Sequence, residues 1–221
     1  MTRKRVLENR SLVKAVHRSQ HCQRNWNLEQ TMPEEDIATL IEAVTQCPSK
    51  QNKAFYNVTA ITQREKIESI HEMTKGFGTG TGMVTNSQTL AHLLLVFSSL
   101  SQEEDEKLLH NLYMVEGNSL LGITKAERKE RIKRDLIEQR MTSIGIAAGY
   151  ANLTASLMGY GTGCCACFDQ VSVKSFLNIE GQPLLLMGIG ISGSKTRRLH
   201  HTENFKFPTF KKSPIDLKTY F

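Results

Sequence analysis

The sequence predicts one domain that combines helices with a central β-sheet, and three features carry that prediction. Leu93 to Phe97 and Gln182 to Ile191 are continuous apolar runs of strand length, as expected for buried strands. Met32 to Cys47 has the apolar spacing of a helix. Thr142 to Asp169 begins as a helix rich in small residues and ends at a glycine turn. The 221 residues are enough for one sizeable core.

Composition disfavours a membrane protein and a secreted, disulfide-bonded protein. No apolar run has transmembrane length, and the basic start from Arg3 to Arg5 is not followed by the apolar stretch of a signal peptide. Five cysteines, three of them within four positions, do not form the pattern of a secreted disulfide framework. We therefore expect a cytoplasmic protein.

Charge is unevenly distributed along the chain. Residues 1–24 carry a net charge of +6 and residues 191–221 a net charge of +5, so the middle of the chain is net acidic. Basic ends of this kind can be solvated tails, nucleic-acid arms or two halves of an anion site. Trp26, just beyond the N-terminal basic segment, is the one aromatic candidate at that end, whereas several aromatics accompany the C-terminal segment.

The N-terminal half alternates helices with one strand. Arg10 to Val16 predicts a short helix that leads into a polar, extended arm from His17 to Trp26. The helix from Met32 to Cys47 has Pro33 in its first turn, followed by three acidic residues that suit the helix dipole. A strand follows, around the apolar residues Phe55, Val58 and Ile61, and then a helix from Glu65 to Lys75.

Two further segments are predicted to lie at the surface. The run from Gly76 to Gly82 reads GFGTGTG, which lacks both the Lys-Ser/Thr end of a phosphate loop and the G-x-G-x-x-G spacing, so we interpret it as an ordinary loop. Residues 101–140 hold nine acidic and eight basic side chains and include a helical stretch with i, i+4 ion pairs, which is typical of a solvated face.

The segment from Thr142 to Asp169 is the most informative. Its small residues, among them Gly145 and Gly149, recur at helical spacing and predict a helix that is buried on several sides. The glycine turn after it would expose backbone N–H groups, and the compact run from Cys164 to Cys167 could lie against a flat ligand or simply fill the core. Zinc ligation is disfavoured because Cys-Cys-x-Cys lacks the paired C-x-x-C spacing.

These segments, in this order, resemble the FMN-dependent nitroreductase family. The resemblance implies an α+β, nitroreductase-like three-layer fold, with a mixed four- to five-stranded sheet, helices on both faces and an intertwined homodimer. It also implies a single domain over residues 1–221. Within it, residues 1–26 form a basic arm for the flavin phosphate, residues 101–140 a variable helical region, and residues 192–221 an extension that wraps the partner.

The family's arm motif, R-R-S-x-R-x-F/Y, fits this chain in two registers, which we leave open. One register matches Arg24 and Trp26, puts Cys22 in place of the serine, and puts Gln20 and His21 in place of the arginine pair. The other register places the motif three residues earlier, on His17, Arg18, Ser19 and His21.

Four other segments are implied to contact FMN. Pro48, Ser49 and Asn52 match the family's A-P-S-S-x-N loop, with Lys50 at a position where serine is usual; this loop often reaches the flavin from the partner subunit. An amide before the buried strand meets the pyrimidine edge of the flavin, and the glycine-turn segment faces its reactive edge. Basic residues after the last strand return to the phosphate. The implied residues of these last three segments are Asn86, Gln88, Cys164, Cys165, Ala166, Arg197 and Arg198.

The resemblance further implies an oxidoreductase. NADPH or NADH would supply a hydride to flavin N5, and a small aromatic or conjugated acceptor (a nitro compound, quinone or flavin) would take the electrons by a ping-pong mechanism. No side chain need act as a catalytic acid or base, because the flavin carries the chemistry. The alternatives are a flavin-binding protein of the same fold with a non-nitro substrate, and a basic nucleic-acid-binding protein without cofactor.

Overall fold

A computed structural model describes residues 3–76, 86–116, 124–193 and 213–219. Arg197 and Arg198, most of the GFGTGTG segment and most of the C-terminal extension therefore lie outside the described residues. No helix in the described ranges is long and apolar enough to cross a membrane.

Four strands form one sheet in the order β1-β2-β4-β3. They are β1 (Asn57–Ile61), β2 (Leu93–Ser98), β3 (Gly161–Cys165) and β4 (Pro183–Gly190). The two continuous apolar runs are the two central strands, and every residue of β2 is buried. Buried on both faces, such strands have no polar side to alternate with, which explains their unbroken apolar sequence.

The sheet is less mixed in direction than we predicted. All three pairs of neighbouring strands are antiparallel. In the described part of the chain, the one parallel pairing is a single bridge between Cys22 and Thr162 at the free edge of β3. A continuous apolar run indicates burial on both faces, and burial alone does not fix strand direction.

Helices cover both faces of the sheet, as predicted. Helices α2 (Glu34–Thr45) and α5 (Lys125–Met158) pack on one face, against side chains such as Leu95. Helices α3 (Arg64–Glu72) and α6 (Gln170–Leu177) pack on the other. The result is the predicted three-layer α+β arrangement.

Helix α5 joins the charged region and the small-residue segment into one element of 34 residues. A capping box between Thr124 and Glu127 begins the helix, and Gly159, with a φ of +94°, ends it. Helix α4 (Gln102–Glu116) packs against its N-terminal half. There Arg140, buried within α5, binds the Asp105 carboxylate.

Two local predictions about helices were wrong. Helix α1 spans Arg3–Ser19, so the arm is helical for three residues beyond the predicted Val16. Packing against α5 stabilises this last turn, since the Ser19 carbonyl accepts a hydrogen bond from Asn152 Nδ2 at 2.8 Å. Within one chain, the small-residue helix is also buried on fewer sides than predicted, because a Cβ added at Gly145 or Gly149 would meet nothing within 4 Å.

Candidate functional site

The arm that follows α1 lies along the edge of the sheet where β3 begins and β4 ends. Gln23 donates its backbone N–H to the Thr162 carbonyl at 2.6 Å, next to the Cys22–Thr162 bridge. Further on, Trp26 is buried, pairs with Ser192 and donates its indole N–H to the Ser87 carbonyl at 2.9 Å. These contacts fix the arm at both ends of the short segment that contains Arg24.

Arg24 is held by a buried amide. Its guanidinium donates a hydrogen bond to Gln88 Oε1. Gln88 is 3% exposed and lies in a 3-10 turn (Ser87–Thr89) just before β2. Its Nε2 donates to the Cys164 carbonyl at 3.3 Å and to Asn86 Oδ1 at 3.5 Å. The structure thus brings together Arg24, Gln88 and Cys164, which the sequence separates by 64 and 76 positions.

Asn86 connects the same turn to the loop that follows β3. Its side-chain amide donates to the Cys167 carbonyl at 2.9 Å, and its backbone N–H donates to Thr74 Oγ1 at 3.0 Å. The two predicted amides, Asn86 and Gln88, therefore both hold backbone carbonyls of the segment from Cys164 to Cys167, which consists of the end of β3 and the start of the loop after it.

Two facing glycines let the 3-10 turn approach the sheet. Gly163 on β3 pairs with Gly188 on β4. A Cβ at Gly163 would lie 2.5 Å from Gln88 Cβ, and one at Gly188 would lie 2.0 Å from the Gln88 carbonyl oxygen. Side chains at either position would displace the turn. Gly163 therefore makes room for the protein's own backbone, whereas the sequence had suggested that the glycine turn exposes its N–H groups to a ligand.

The end of β3 and the loop after it carry small side chains. Cys164, Ala166 and Cys167 are exposed, and Cys165 is buried. Desolvation by the surrounding protein atoms raises the pKa of the Cys164 thiol to about 11 and that of the Cys165 thiol to about 12. These thiols are neutral at physiological pH, and no group of metal-ligating side chains occurs among the described residues.

A cleft of about 610 Å³ opens beside the arm. It is lined by Arg18, His21, Cys22, Gln23, Gly159, Gly161 and Ser192. Arg18 lies in the last turn of α1, with Nη1 3.4 Å from the Ser156 carbonyl. Two other predicted arm residues bond back into α1: Ser19 Oγ donates to the Val16 carbonyl, and Gln20 Nε2 donates to the His17 carbonyl. Of the predicted arm residues, Arg18, His21 and Cys22 therefore line the cleft.

The remaining predicted residues lie at the opposite corner of the sheet. Pro48, Ser49, Lys50 and Asn52 belong to the loop between α2 and β1, and two of them, Ser49 and Asn52, line a separate cleft of about 400 Å³. The arm lies at the β3 edge, near the start of β2; this loop lies at the β1 edge, near the end of β2. Three strand spacings and six residues of strand separate the two corners, about 14 Å across the sheet and about 17 Å along it. Within one chain the predicted residues thus form two separate groups.

Sequence reasoning missed several residues of the site. Ser192 lines the arm cleft, Thr74 holds Asn86, and Gly188 makes room for Gln88. Glycines inside a strand signal close backbone approach, so the G-x-G patterns at 161–163 and 188–190 could have indicated a packed segment there. Nothing in the sequence indicates Thr74, which meets the site through tertiary packing.

Comparison with solved structures identifies the type of fold. The chain is similar to nitroreductase A from Vibrio parahaemolyticus, with a TM-score of 0.60 and 17% identity over 90% of this chain and 78% of that one. It is similar to a candidate NAD(P)H:FMN oxidoreductase from Staphylococcus epidermidis, with a TM-score of 0.59 and 15% identity over 89% and 92% of the two chains. A candidate nitroreductase from Exiguobacterium sibiricum, solved in complex with FMN, gives a TM-score of 0.59 and 15% identity over 89% and 93%. The fold is therefore that of nitroreductases.

Sequence comparison identifies the family. The sequence model of the Nitroreductase family matches residues 18–191, a span that includes the arm, all four strands and the loop after β3. This chain belongs to the nitroreductase family. Comparison with curated proteins found no match.

Proposed function

We propose that this protein is an FMN-dependent NAD(P)H oxidoreductase that passes electrons to a small aromatic or conjugated acceptor, such as a nitro compound, a quinone or a flavin. The observation that carries the proposal is the cation of Arg24, fixed by Gln88 beside the segment from Cys164 to Cys167, in a chain of this family. FMN, when bound, supplies the hydride chemistry. The protein binds and orients the reactants. Its five cysteines are free thiols, which suits a cytoplasmic location.

The chemistry of the loop and the arm fits a flavin ring. The exposed side chains of Cys164, Ala166 and Cys167 are small and offer a surface on which a flat ring can lie. Arg24 would hold the edge of the ring that becomes more negative on reduction, and a fixed cation there stabilises that charge.

The cleft beside the arm fits the cofactor's phosphate. Arg18 and His21 line it, and the Ser192 hydroxyl adds a hydrogen-bond donor. A flavin phosphate carries nearly two negative charges, for which a guanidinium is an efficient partner. This assignment draws on both registers of the arm: it puts Arg24, which the later register matches, at the ring edge, and Arg18, which the earlier register matches, at the phosphate.

We further propose that the protein is a homodimer, because α5 has an open apolar face. Gly145 and Gly149 have nothing within 4 Å of an added Cβ. Large apolar side chains on α5 are about half exposed: Ile137, Met141, Tyr150 and Leu157. Exposed apolar positions on α1, which packs against α5, extend this face. A second copy would cover it, and glycines at its centre would let two helix backbones approach closely.

The separation of the predicted residues also supports a dimer. Pro48 to Asn52 lie at the corner of the sheet opposite the arm, so one chain cannot bring both groups to one flavin. A partner can place its own loop against the arm, and FMN would then lie at the interface.

Purification with an absorption spectrum tests the enzyme proposal. The protein should bind close to one FMN per chain, oxidise NADPH or NADH, and reduce a nitroaromatic compound or a quinone. Varying donor and acceptor together should give the parallel double-reciprocal lines of a ping-pong mechanism. A colourless protein that takes up no added FMN would refute the proposal.

The variant Gly149→Leu tests the dimer. Within one chain an added Cβ at Gly149 has nothing within 4 Å, and replacing a helical glycine raises helix propensity by several tenths of a kcal/mol. The variant should stay folded yet sediment as a monomer and lose FMN. Lys133→Leu adds the same side chain at another exposed position of α5 and should remain a dimer. Dimeric, FMN-loaded Gly149→Leu would show that this face is not the interface.

A further inference from the structure

We propose that Gln88 is a positioning residue that fixes the Arg24 guanidinium and thereby sets the affinity and the reduction potential of the bound flavin. The inference rests on the proposed FMN chemistry. The sequence suggests a different role for Gln88, direct contact of its amide with the flavin. The structure instead points to an action through Arg24.

The amide of Gln88 is committed to the protein. A glutamine side chain has one acceptor oxygen and two N–H donors. The oxygen accepts from Arg24, and the nitrogen donates to the Cys164 carbonyl and Asn86 Oδ1. With 3% of its surface exposed, Gln88 has little area to offer a ligand. Its donors hold the loop on which the flavin would lie, and its acceptor holds the cation at the edge of that flavin.

The backbone of Gln88 is fixed as well. The adjacent Ser87 carbonyl accepts from the indole of Trp26, and Thr89 N–H donates to the Asn86 carbonyl at 3.0 Å. Gly163 and Gly188 let Gln88 lie directly on the sheet, where a Cβ on either would clash with it. An acceptor held this rigidly restricts the guanidinium of Arg24 to one place, whereas a free arginine side chain would lose rotamer freedom on binding FMN.

An amide is also the right kind of acceptor for this task. A carboxylate would hold Arg24 more tightly but would add a negative charge beside it, whereas an amide oxygen accepts the hydrogen bond without adding charge. Gln88→Glu should therefore keep Arg24 in place and disfavour reduction. Gln88→Met has a similar length and no hydrogen bonds, so it should release Arg24.

A double-mutant cycle separates positioning from simple structural support. FMN affinity would be measured by fluorescence titration, and the reduction potential by dye equilibration, for wild type, Gln88→Met, Arg24→Ala and the double variant. Gln88→Met should weaken FMN binding about tenfold in wild type and by a clearly smaller factor when Arg24 is already alanine, because only the support of the Cys164 carbonyl is then lost. A tenfold loss of preference for the reduced cofactor lowers the potential of a two-electron couple by about 30 mV.

The outcomes are distinct. Equal losses from Gln88→Met in both backgrounds would overturn the inference, because a structural role acts whether or not Arg24 is present. If the methionine variant fails to fold, Gln88→Glu replaces it in the test, because this substitution changes few atoms. An unchanged reduction potential in folded, FMN-loaded Gln88→Glu would also overturn the inference. Wild-type protein that binds no FMN would instead overturn the proposed function, and this is seen before any variant is made.

Discussion

Two arginines of the arm are predicted to hold different parts of FMN, and riboflavin can separate them. Riboflavin has the same ring as FMN and no phosphate. Arg18 lines the cleft assigned to the phosphate, and Arg24 is bound to Gln88 beside the loop assigned to the ring. Arg18→Ala should therefore weaken FMN binding and leave riboflavin binding unchanged, whereas Arg24→Ala should weaken both ligands equally.

The size of each effect follows from the surroundings of the two side chains. A hydrogen bond to a charged group contributes about 1.5–3 kcal/mol, or roughly tenfold to more than a hundredfold in affinity. Arg24 is partly buried, so its effect should lie within that range. Arg18 is exposed, so solvent screening should reduce its effect to about tenfold or less, and further at high salt. Arg24→Ala also leaves the buried Gln88 oxygen without this donor, which should destabilise the apoprotein by about 1–3 kcal/mol.

Fluorescence titration of the two variants with both ligands, at low and high salt, gives the four affinity ratios, and calorimetry of the apoproteins gives their stabilities. Loss of riboflavin affinity in Arg18→Ala would place Arg18 at the ring and refute the assignment of the cleft. Loss of FMN affinity alone in Arg24→Ala would place Arg24 at the phosphate.

Other predictions concern the support of the site. Arg140→Met removes one partner of a largely buried ion pair and should lower the free energy of unfolding, measured in urea, by about 3 kcal/mol. This is the low end for such a pair because Asp105 is 25% exposed. The control Arg134→Met, in an exposed pair on the same helix, should change the free energy of unfolding by less than about 0.5 kcal/mol. Burial raises the pKa of Asp105 and Arg140 opposes that shift, so without Arg140 the Asp105 carboxyl of the folded chain should stay protonated to a higher pH than in the unfolded chain. The stability lost in Arg140→Met should therefore be greater at pH 7 than near pH 4. A pH-independent difference would contradict this. Cys164 and Cys165, with pKa values near 11 and 12, should react slowly with iodoacetamide at pH 7 and faster as the pH approaches 11, and alanine at both positions should retain FMN; stoichiometric zinc or iron in the purified protein would show that the cysteines are ligands.

Part of the candidate site could be predicted from the sequence. The small-residue helix, the glycine turn and the Cys164–Cys167 run predicted a surface for a flat ligand, and Arg24 was predicted as a flavin contact. The structure puts Arg24 beside that surface, although no contact with FMN has been tested. The predicted role of Gln88 is the part that changes most, because burial and hydrogen bonding by a side chain depend on what packs around it. Both Arg24 and the Cys164 carbonyl approach Gln88 from distant parts of the chain.

The sequence by itself determined the kinds of elements and their order, because hydrophobic periodicity and capping residues are local signals. The two continuous apolar runs specified two central strands, and the match over residues 18–191 specified the family. Only the tertiary structure decided that these strands run antiparallel, that Gly149 faces open space, and that the loop from Pro48 to Asn52 lies at the corner opposite the arm. Strand direction, burial and distance across a sheet depend on contacts between residues far apart in the chain, and no local pattern encodes them.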